Sequence, residues 1–545
     1  MAHAVTAGGN NSRWFTKCEA LFLAALCCLL FLPGLGARDF WAPGEPIYAE
    51  TLRVMYEKSD WIVPTVNGQL FPDKPVFYYW LALAVSKIAG GVSEWTVRLP
   101  GAMGALGLVL TTYLIGKSFF ARTAAFISAL ILATCYRVFW EARFLRLDTV
   151  LSFLLLLGLY LFLKAFIEKK SSAFYLLAYA CFALATLTKG PLGLVLPALT
   201  MLAMVGLTGC WRELGRMRII SGVALVAAII APWLVLLHIR GEDQLVRDFL
   251  LIHNIQNYAL EPLGHVRPFY YYFAMLPLDF MPWTLFVPSA LLFYYPWRER
   301  LRDPATLALT CWFVCTFVFF SISKSKIAYY LMPLLPSLAL LVGCYLDRWL
   351  ANEHLLGAHS KVSAVMLCLL AAVFTIAGIA VPLISNKIEP GIFSWALWAG
   401  IILLCGGVAA IGLLLFKDVA RAFTTVAGAL CATLVLAGLG VLPYMNRYKS
   451  PRAMAQAIQA VSQNGRLFVF RSTMNDFNYY AKREVITVAD SQDDLDAAVA
   501  QPGETYLLIA EKDLNYIDAK RLSARLAERS VGDRKWLLVK YPAPS

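Results

Sequence analysis

Four stretches of this 545-residue chain bring acids, cations and aromatics together at the edges of apolar blocks. The first reads ARDFWAPGEPIYAETLRVMYEKSDWIVPTVNGQLFPDKPVFYYW and offers Asp39, Glu45, Glu50, Asp60 and Asp73, with Lys74 beside the last. Glu50, Arg53 and Glu57 have the spacing of a solvated helix face, and Asp60 reads as a turn residue. Glu45, set between Pro43 and Pro46 near an aromatic, has no such plain account. The second stretch, EARFLRLDTV, ends at Asp148, where an apolar block begins. A carboxylate at that depth is costly unless paired or functional; Arg143 and Arg146 are near enough to pair with it, and a helix N-cap is the plainer alternative. The third, HNIQNYALEPLGHVRPFYYYF, sets Arg267 before Pro268 and an aromatic belt. The fourth, SISKSKIAYYLMPLLP, carries Lys324 and Lys326 ahead of Tyr329 and Tyr330, and Lys189 in TLTKGPLG is a similar displaced cation. Lysine binds phosphate as a point charge and arginine as a fork. Cations above a greasy groove, with an acid or base in reach, are what a lipid-linked phosphate requires.

Those stretches must be held by membrane spans. Hydrophobic residues make up 59% of the chain and charged residues 15%, against about 45–50% and about 25% in soluble domains. The apolar residues fall in blocks near 18–36, 76–91, 99–117, 123–139, 149–166, 173–188, 190–208, 218–239, 280–296, 305–322, 329–347, 361–383, 394–415 and 422–443, most of them long enough to cross about 30 Å of hydrocarbon. The first lacks a small-x-small cleavage site and is expected to stay as a span. Basic short loops such as Lys117–Arg122, Trp211–Arg218 and Lys417–Arg421 belong on the cytoplasmic side. Alternation then holds only if 76–91 lies in the interface. The expected architecture is a polytopic α-helical membrane protein with about 13 spans, inside N-terminus and outside C-terminus. A membrane domain over residues 1–444 carries periplasmic loops at 37–98, 140–148, 240–279 and 323–328, and residues 445–545 form a small periplasmic α/β domain with a partly parallel sheet. Strands are expected at 467–470, 485–488, 505–510 and 536–540, and helices at 451–461, 492–500 and 513–528. The formal charge of +13 sits in short loops with no base-readout motif, so nucleic acid is excluded. The 12 cysteines lie nearly all in apolar blocks and act as small hydrophobes.

The ordered motifs WxPxEPxYAE, SDWIVP, NGQLFPDKP and YYW, then RLDTVL, LTKGPLG, HNIQNY, MPWTLFVP and SKSKIAYYLMPLLP, resemble the bacterial 4-amino-4-deoxy-L-arabinose lipid A transferases. They also resemble the wider protein O-mannosyltransferase-like branch of the C-type glycosyltransferases, through about residue 350. The resemblance implies a C-type glycosyltransferase fold in the inner membrane and inverting transfer on the periplasmic face. It implies an undecaprenyl-phosphate sugar as donor and lipid A or lipopolysaccharide as acceptor, with membrane lipids around both. Lys74, Arg267 and Tyr330 would grip the carrier phosphate, helped by Lys324 and Lys326, while Asp148, Tyr48 and Tyr78 would line the cavity. Asp73 and His265 would share a divalent metal, zinc or magnesium/manganese, if any cofactor is used. The family pattern has Asp where this chain has Gly44, so Glu45, Asp148 or Asp39 would supply the acid. Competing expectations are a protein acceptor, a lipid-linked sugar transporter or flippase, which would show internal repeats not found here, and a carrier-binding homologue without turnover.

Overall fold

The computed structural model describes residues 11–42, 44–71, 74–247, 266–294, 299, 301–351, 358–462, 465–472, 474–482, 487–499, 504–517, 522 and 524–541. Apolar blocks without internal breakers become helices whose outer faces stay apolar. Among the described residues eight helices are long and apolar enough to span a membrane, or ten if each of two bent pairs is one span, and four shorter apolar helices accompany them. Helix Ile219–Ile239 has only 11% of its apolar window buried inside the protein. Ile220, Leu415 and Phe416 stand almost fully exposed. Apolar surface on that scale belongs against lipid, and the chain is a multi-span membrane protein.

Nine helices of the first half position the site: α1 (Asn11–Phe31), α2 (Glu45–Glu57), α3 (Phe77–Ala89), α4 (Glu94–Phe119), α5 (Arg122–Thr134), α6 (Tyr136–Ala142), α7 (Asp148–Phe166), α8 (Ala173–Lys189) and α9 (Leu192–Thr208). α4 starts on a capping box in which Ser93 Oγ accepts from the Thr96 amide and Thr96 Oγ1 accepts from the Ser93 amide. α3 has 13 residues, roughly 20 Å at about 1.5 Å per residue, too short to cross the hydrocarbon. The block expected as a span over 280–296 begins at a bend: helix Tyr271–Asp279 meets the Trp283–Phe293 helix at 108°. Pro277, Pro282 and Pro288 remove amide donors and crowd the preceding carbonyls there.

Close helix approach relies on small residues, as membrane packing generally does. A Cβ on Gly343, in helix Leu335–Ala351, would stand 2.1 Å from Ser128 Oγ and 2.9 Å from the Ser128 backbone in α5. Gly343→Val is therefore expected to lower stability by about 1–3 kcal/mol through overpacking, read as an earlier thermal transition of the detergent-solubilised protein; an unchanged transition would mean the two helices separate freely.

The last part of the chain forms a five-stranded sheet of β3 (Gly465–Phe470), β4 (Thr487–Ala489), β5 (Glu504–Ala510), β6 (Ala524–Val531) and β7 (Arg534–Tyr541), numbered after the short hairpin β1 (Thr65–Val66) and β2 (Gln69–Leu70). Its order is β4-β3-β5-β7-β6, with β3 parallel to β4 and β5 and the other pairs antiparallel. Helix Arg452–Ser462 packs on one face through Met454, Ala455 and Ile458. Among the described residues of 513–528, where a helix is expected, there is no α-helix. Residues 511–516 form a 3-10 turn and 524–531 pair with β7 as an edge strand. ARLAERSV is rich in helix formers, but the turn at Gly532, φ +66°, folds it back on β7, and tertiary pairing overrides propensity.

This sheet unit is fastened to the first loop. Arg452 pairs with Asp39 at 2.7 Å and Ser450 Oγ donates to the same carboxylate at 2.7 Å. Tyr480 Oη accepts from the Phe40 amide at 2.8 Å, and Asn446 Oδ1 accepts from Trp41 Nε1 at 2.9 Å.

Candidate active site

Glu45 opens α2 and is buried to 2% exposure. Its Oε1 accepts from Arg38 at 2.9 Å, Arg98 Nε at 2.9 Å and the Leu145 amide at 2.8 Å. Oε2 accepts from Arg38 at 2.6 Å, Arg98 at 3.1 Å and the Trp41 amide at 3.1 Å. Burial alone would raise this carboxyl, but Arg38 and Arg98 hold it well below the usual carboxylate range. The guanidiniums in turn donate to the carbonyls of Leu35, Arg38, Asp39 and Arg143. A carboxylate so engaged is an anchor, and withdrawing it for proton transfer would strand buried charge. Through the Leu145 amide and the Arg143 carbonyl it ties the first stretch to the second. Arg143, buried on its own account, donates to the carbonyls of Leu30, Phe31, Pro33 and Gly438 and closes the C-terminal end of α1.

The second and fourth stretches meet around two tyrosines. Asp148 begins α7 and pairs with Lys189 at the end of α8 at 2.5 Å, both side chains less than a tenth exposed. Lys189 Nζ lies 4.3 Å from the Tyr330 ring centroid and 5.3 Å from that of Tyr329. Arg146 stacks over Tyr329 at 4.8 Å. Behind it, Arg137 joins Asp279 at 2.5 Å and Glu141 at 2.9 Å. The third stretch reaches the fourth by a backbone bridge between Val266 and Ser325 and by Lys326 Nζ donating to the Arg267 carbonyl at 3.2 Å. All four stretches thus gather at one end of the helix bundle.

The Asp148–Lys189 pair allows a direct test. Lys189→Met leaves a buried carboxylate uncompensated and is expected to cost about 3–5 kcal/mol, whereas the double variant Asp148→Asn/Lys189→Met regains most of it. Thermal unfolding in detergent measures the cycle, and additive losses would show the two groups do not interact.

Comparison with known proteins bears on this arrangement. Residues 73–236 match the family model described as dolichyl-phosphate-mannose-protein mannosyltransferase. An undecaprenyl phosphate-alpha-4-amino-4-deoxy-L-arabinose arabinosyl transferase from Proteus mirabilis is 31% identical over 337 residues, 61% of this chain and 60% of that one. The Yersinia enterocolitica relative is 32% identical over 62% of this chain and 60% of its own length. The matched region thus spans about 60% of the length of these curated relatives. Among solved structures, ArnT from Cupriavidus metallidurans bound to undecaprenyl phosphate superposes with a TM-score of 0.77 at 22% identity, covering 97% of this chain and 100% of that one. The archaeal oligosaccharyltransferase AglB from Archaeoglobus fulgidus follows at 0.54 and 12% identity, over 92% and 70%. The chain thus has the fold of the Cupriavidus metallidurans protein and is similar in sequence to the aminoarabinose transferases and, over residues 73–236, to the protein-mannosyltransferase family.

Within this fold the residues expected at the site fall into three groups. Asp148, Tyr330 and Lys189 come together with Arg146 and Tyr329, as described. Lys74 is half-buried just before α3, Tyr48 is half-buried in α2 against Phe71 at 5.9 Å, Lys324 is exposed, and Arg267 is exposed beside the Val266–Ser325 bridge. Others are drawn into the framework. Asp39 serves the sheet unit through Arg452 and Ser450. Lys326, 4% exposed, donates to the Ser323 and Arg267 carbonyls, and burial lowers its pKa. Tyr78, expected to line the substrate cavity, is fully buried among core residues, and its hydroxyl donates to the Val97 carbonyl at 2.9 Å. Asp73 and His265 lie outside the described residues, and among the described residues no group of three metal-ligating side chains occurs. Sequence reasoning missed Arg38 and Arg98, the partners of Glu45, and the ion triad of Arg137, Glu141 and Asp279. The signal available was charge inside or bordering an apolar block, which demands a partner.

Proposed function

We propose that this chain is an integral-membrane glycosyltransferase that moves an aminoarabinose-like sugar from undecaprenyl phosphate to lipid A or lipopolysaccharide on the periplasmic face of the inner membrane. The convergence of Lys189, Arg146, Tyr329 and Tyr330 with apolar spans at one end of the bundle carries the reading. That end suits a carrier whose phosphate needs cations and whose tail needs lipid. The Cupriavidus metallidurans structure with this architecture was solved with undecaprenyl phosphate, and the relatives named above are undecaprenyl phosphate aminoarabinose transferases. The basic loops on the opposite side support a cytoplasmic N-terminus.

The reaction is a single inverting displacement. An acceptor oxygen forms its bond to the anomeric carbon as the bond to the carrier phosphate breaks, and the electron pair leaves with the phosphate. Lys74 and Arg267 supply positive charge where that negative charge develops. Among the described residues the acids Glu45, Asp39 and Asp148 are each held by cations. This favours an acceptor that arrives already ionised, since a phosphate oxygen needs no general base. No step is assigned to a metal. Mass spectrometry of lipid A from cells with and without the protein is the test. The expected result is a sugar mass present on lipid A only when the protein is made. An identical profile would remove lipid A as the acceptor and turn the search to protein glycans.

A further inference from the structure

Five arginines gather where the first and second stretches meet, and four of them hold carboxylates or carbonyls at hydrogen-bond distance. Arg38 and Arg98 hold Glu45 and several carbonyls, Arg143 holds carbonyls, and Arg137 holds Asp279 and Glu141. Arg146 is the exception. Among the described residues its guanidinium makes one long hydrogen bond, Nη1 to Tyr329 Oη at 3.4 Å, and its Nε stands 3.9 Å from Glu141 Oε2. Arg137 takes Glu141 Oε1, so that Oε2 faces Arg146 from beyond hydrogen-bond distance, and Lys189 takes Asp148. A guanidinium carries five donors in a fixed fork, and Arg146 is 26% exposed, so a ligand can reach it.

What faces it is Gly44. That residue caps α2 at φ +111°, ψ −54°. A Cβ built there would have, among the described residues, only the two terminal nitrogens of Arg146 within 4 Å, at 3.8 and 3.9 Å. Any side chain at position 44 would thus point into the space in front of the fork, and an acidic one would fill it with charge. Glycine leaves the fork open. The N-terminal end of α2 at the same point adds a favourable field for an anion.

We infer that Arg146, left open by Gly44, is a phosphate-binding subsite of the candidate site, and that Gly44 is the residue that keeps it available. The inference rests on the transferase reading and deepens it. The phosphate has two sources, the carrier lipid's leaving group and a phosphomonoester on the acceptor, and both present the same planar pair of oxygens to the fork.

Binding to the purified full-length protein in nanodiscs separates these sources. The probes are undecaprenyl phosphate, lipid A bearing its phosphates, and the same lipid A after phosphatase treatment. Arg146→Gln is expected to weaken undecaprenyl phosphate, or the preference for phosphorylated over dephosphorylated lipid A, by about tenfold or more; whichever falls names the source. Gly44→Asn and Gly44→Asp are nearly isosteric and share the tolerance of Asx residues for positive φ, so the difference between them reads the charge. Gly44→Asp should bind the same probe at least about tenfold more weakly than Gly44→Asn, which keeps the test decisive if Arg146→Gln fails to fold. Equal binding by the two Gly44 variants, or wild-type binding of both phosphates by folded Arg146→Gln, overturns the inference. If Lys74→Gln loses undecaprenyl phosphate in the same experiment, the transferase reading survives that failure. A wild-type protein that binds neither lipid ends both.

Discussion

Glu45→Ala is expected to unfold the outer end of the molecule rather than merely to slow it. The substitution leaves Arg38 and Arg98, 2% and 0% exposed, without their shared counter-charge, and breaking a buried pair costs about 3–5 kcal/mol. It also orphans the Trp41 and Leu145 amides. Losses of that size are a large share of a typical folding free energy, so little Glu45→Ala protein should survive purification. Glu45→Gln keeps the shape and some hydrogen bonds but not the charge, and should fold with a lowered thermal transition. The pH dependence follows from the direction of the shift. The folded carboxyl titrates well below its ordinary 4.5, so its stabilisation is fully present above about 4.5 and is lost as pH falls toward the folded value. The deficit of Glu45→Gln relative to wild type should therefore be constant from pH 8 to 5 and shrink below about 4.5. A deficit that instead changes between pH 6 and 8 would mean Glu45 titrates there, as a general base would.

The contrast between what was legible and what was not follows from how each feature is encoded. Apolar blocks are read directly, because lipid rewards a local run of residues. The parallel core of the terminal sheet is signalled by short β-branched and aromatic runs such as GRLFVF and ETYLLIA. Strand β6 is hidden because ARLAERSV is exposed along most of its length and so lacks the alternation that a half-buried strand shows. The broken helix pair at Pro282 was obscured by its apolar composition, although its prolines carried the signal. The site divides along the same line. Glu45 stands out in the sequence because no local feature explains it, but its partners lie 7 and 53 residues away, and one sequence carries no record of pairing at a distance. The same holds for Lys189 and Asp148, 41 residues apart. Lys326 and Tyr78 looked functional by type, yet their polar atoms serve backbone carbonyls. Residue type announces a need for a partner without saying whether ligand or protein fills it.

That distinction makes Lys74 and Arg267 the more telling substitutions for chemistry. Arg267 is exposed, and among the described residues it contributes to the structure through its backbone carbonyl, which accepts from Lys326. Its side chain takes no part in the ion pairs around Glu45, Asp148 and Asp279, so Arg267→Ala should insert and unfold like wild type. Under the proposed displacement both cations act where charge builds on the departing phosphate, and losing one such group lowers turnover by about 10²–10³-fold. Transfer measured with the purified variants should fall by that amount, with kcat reduced more than donor KM is raised, because the interaction strengthens as the bond breaks. Lysine at position 267 restores charge but not the fork, and should recover only part of the loss. Wild-type turnover in folded Arg267→Ala would take Arg267 out of the site and leave the phosphate to Lys74 and Arg146. A loss confined to KM would make Arg267 a docking contact for the carrier, uninvolved in stabilising the leaving group.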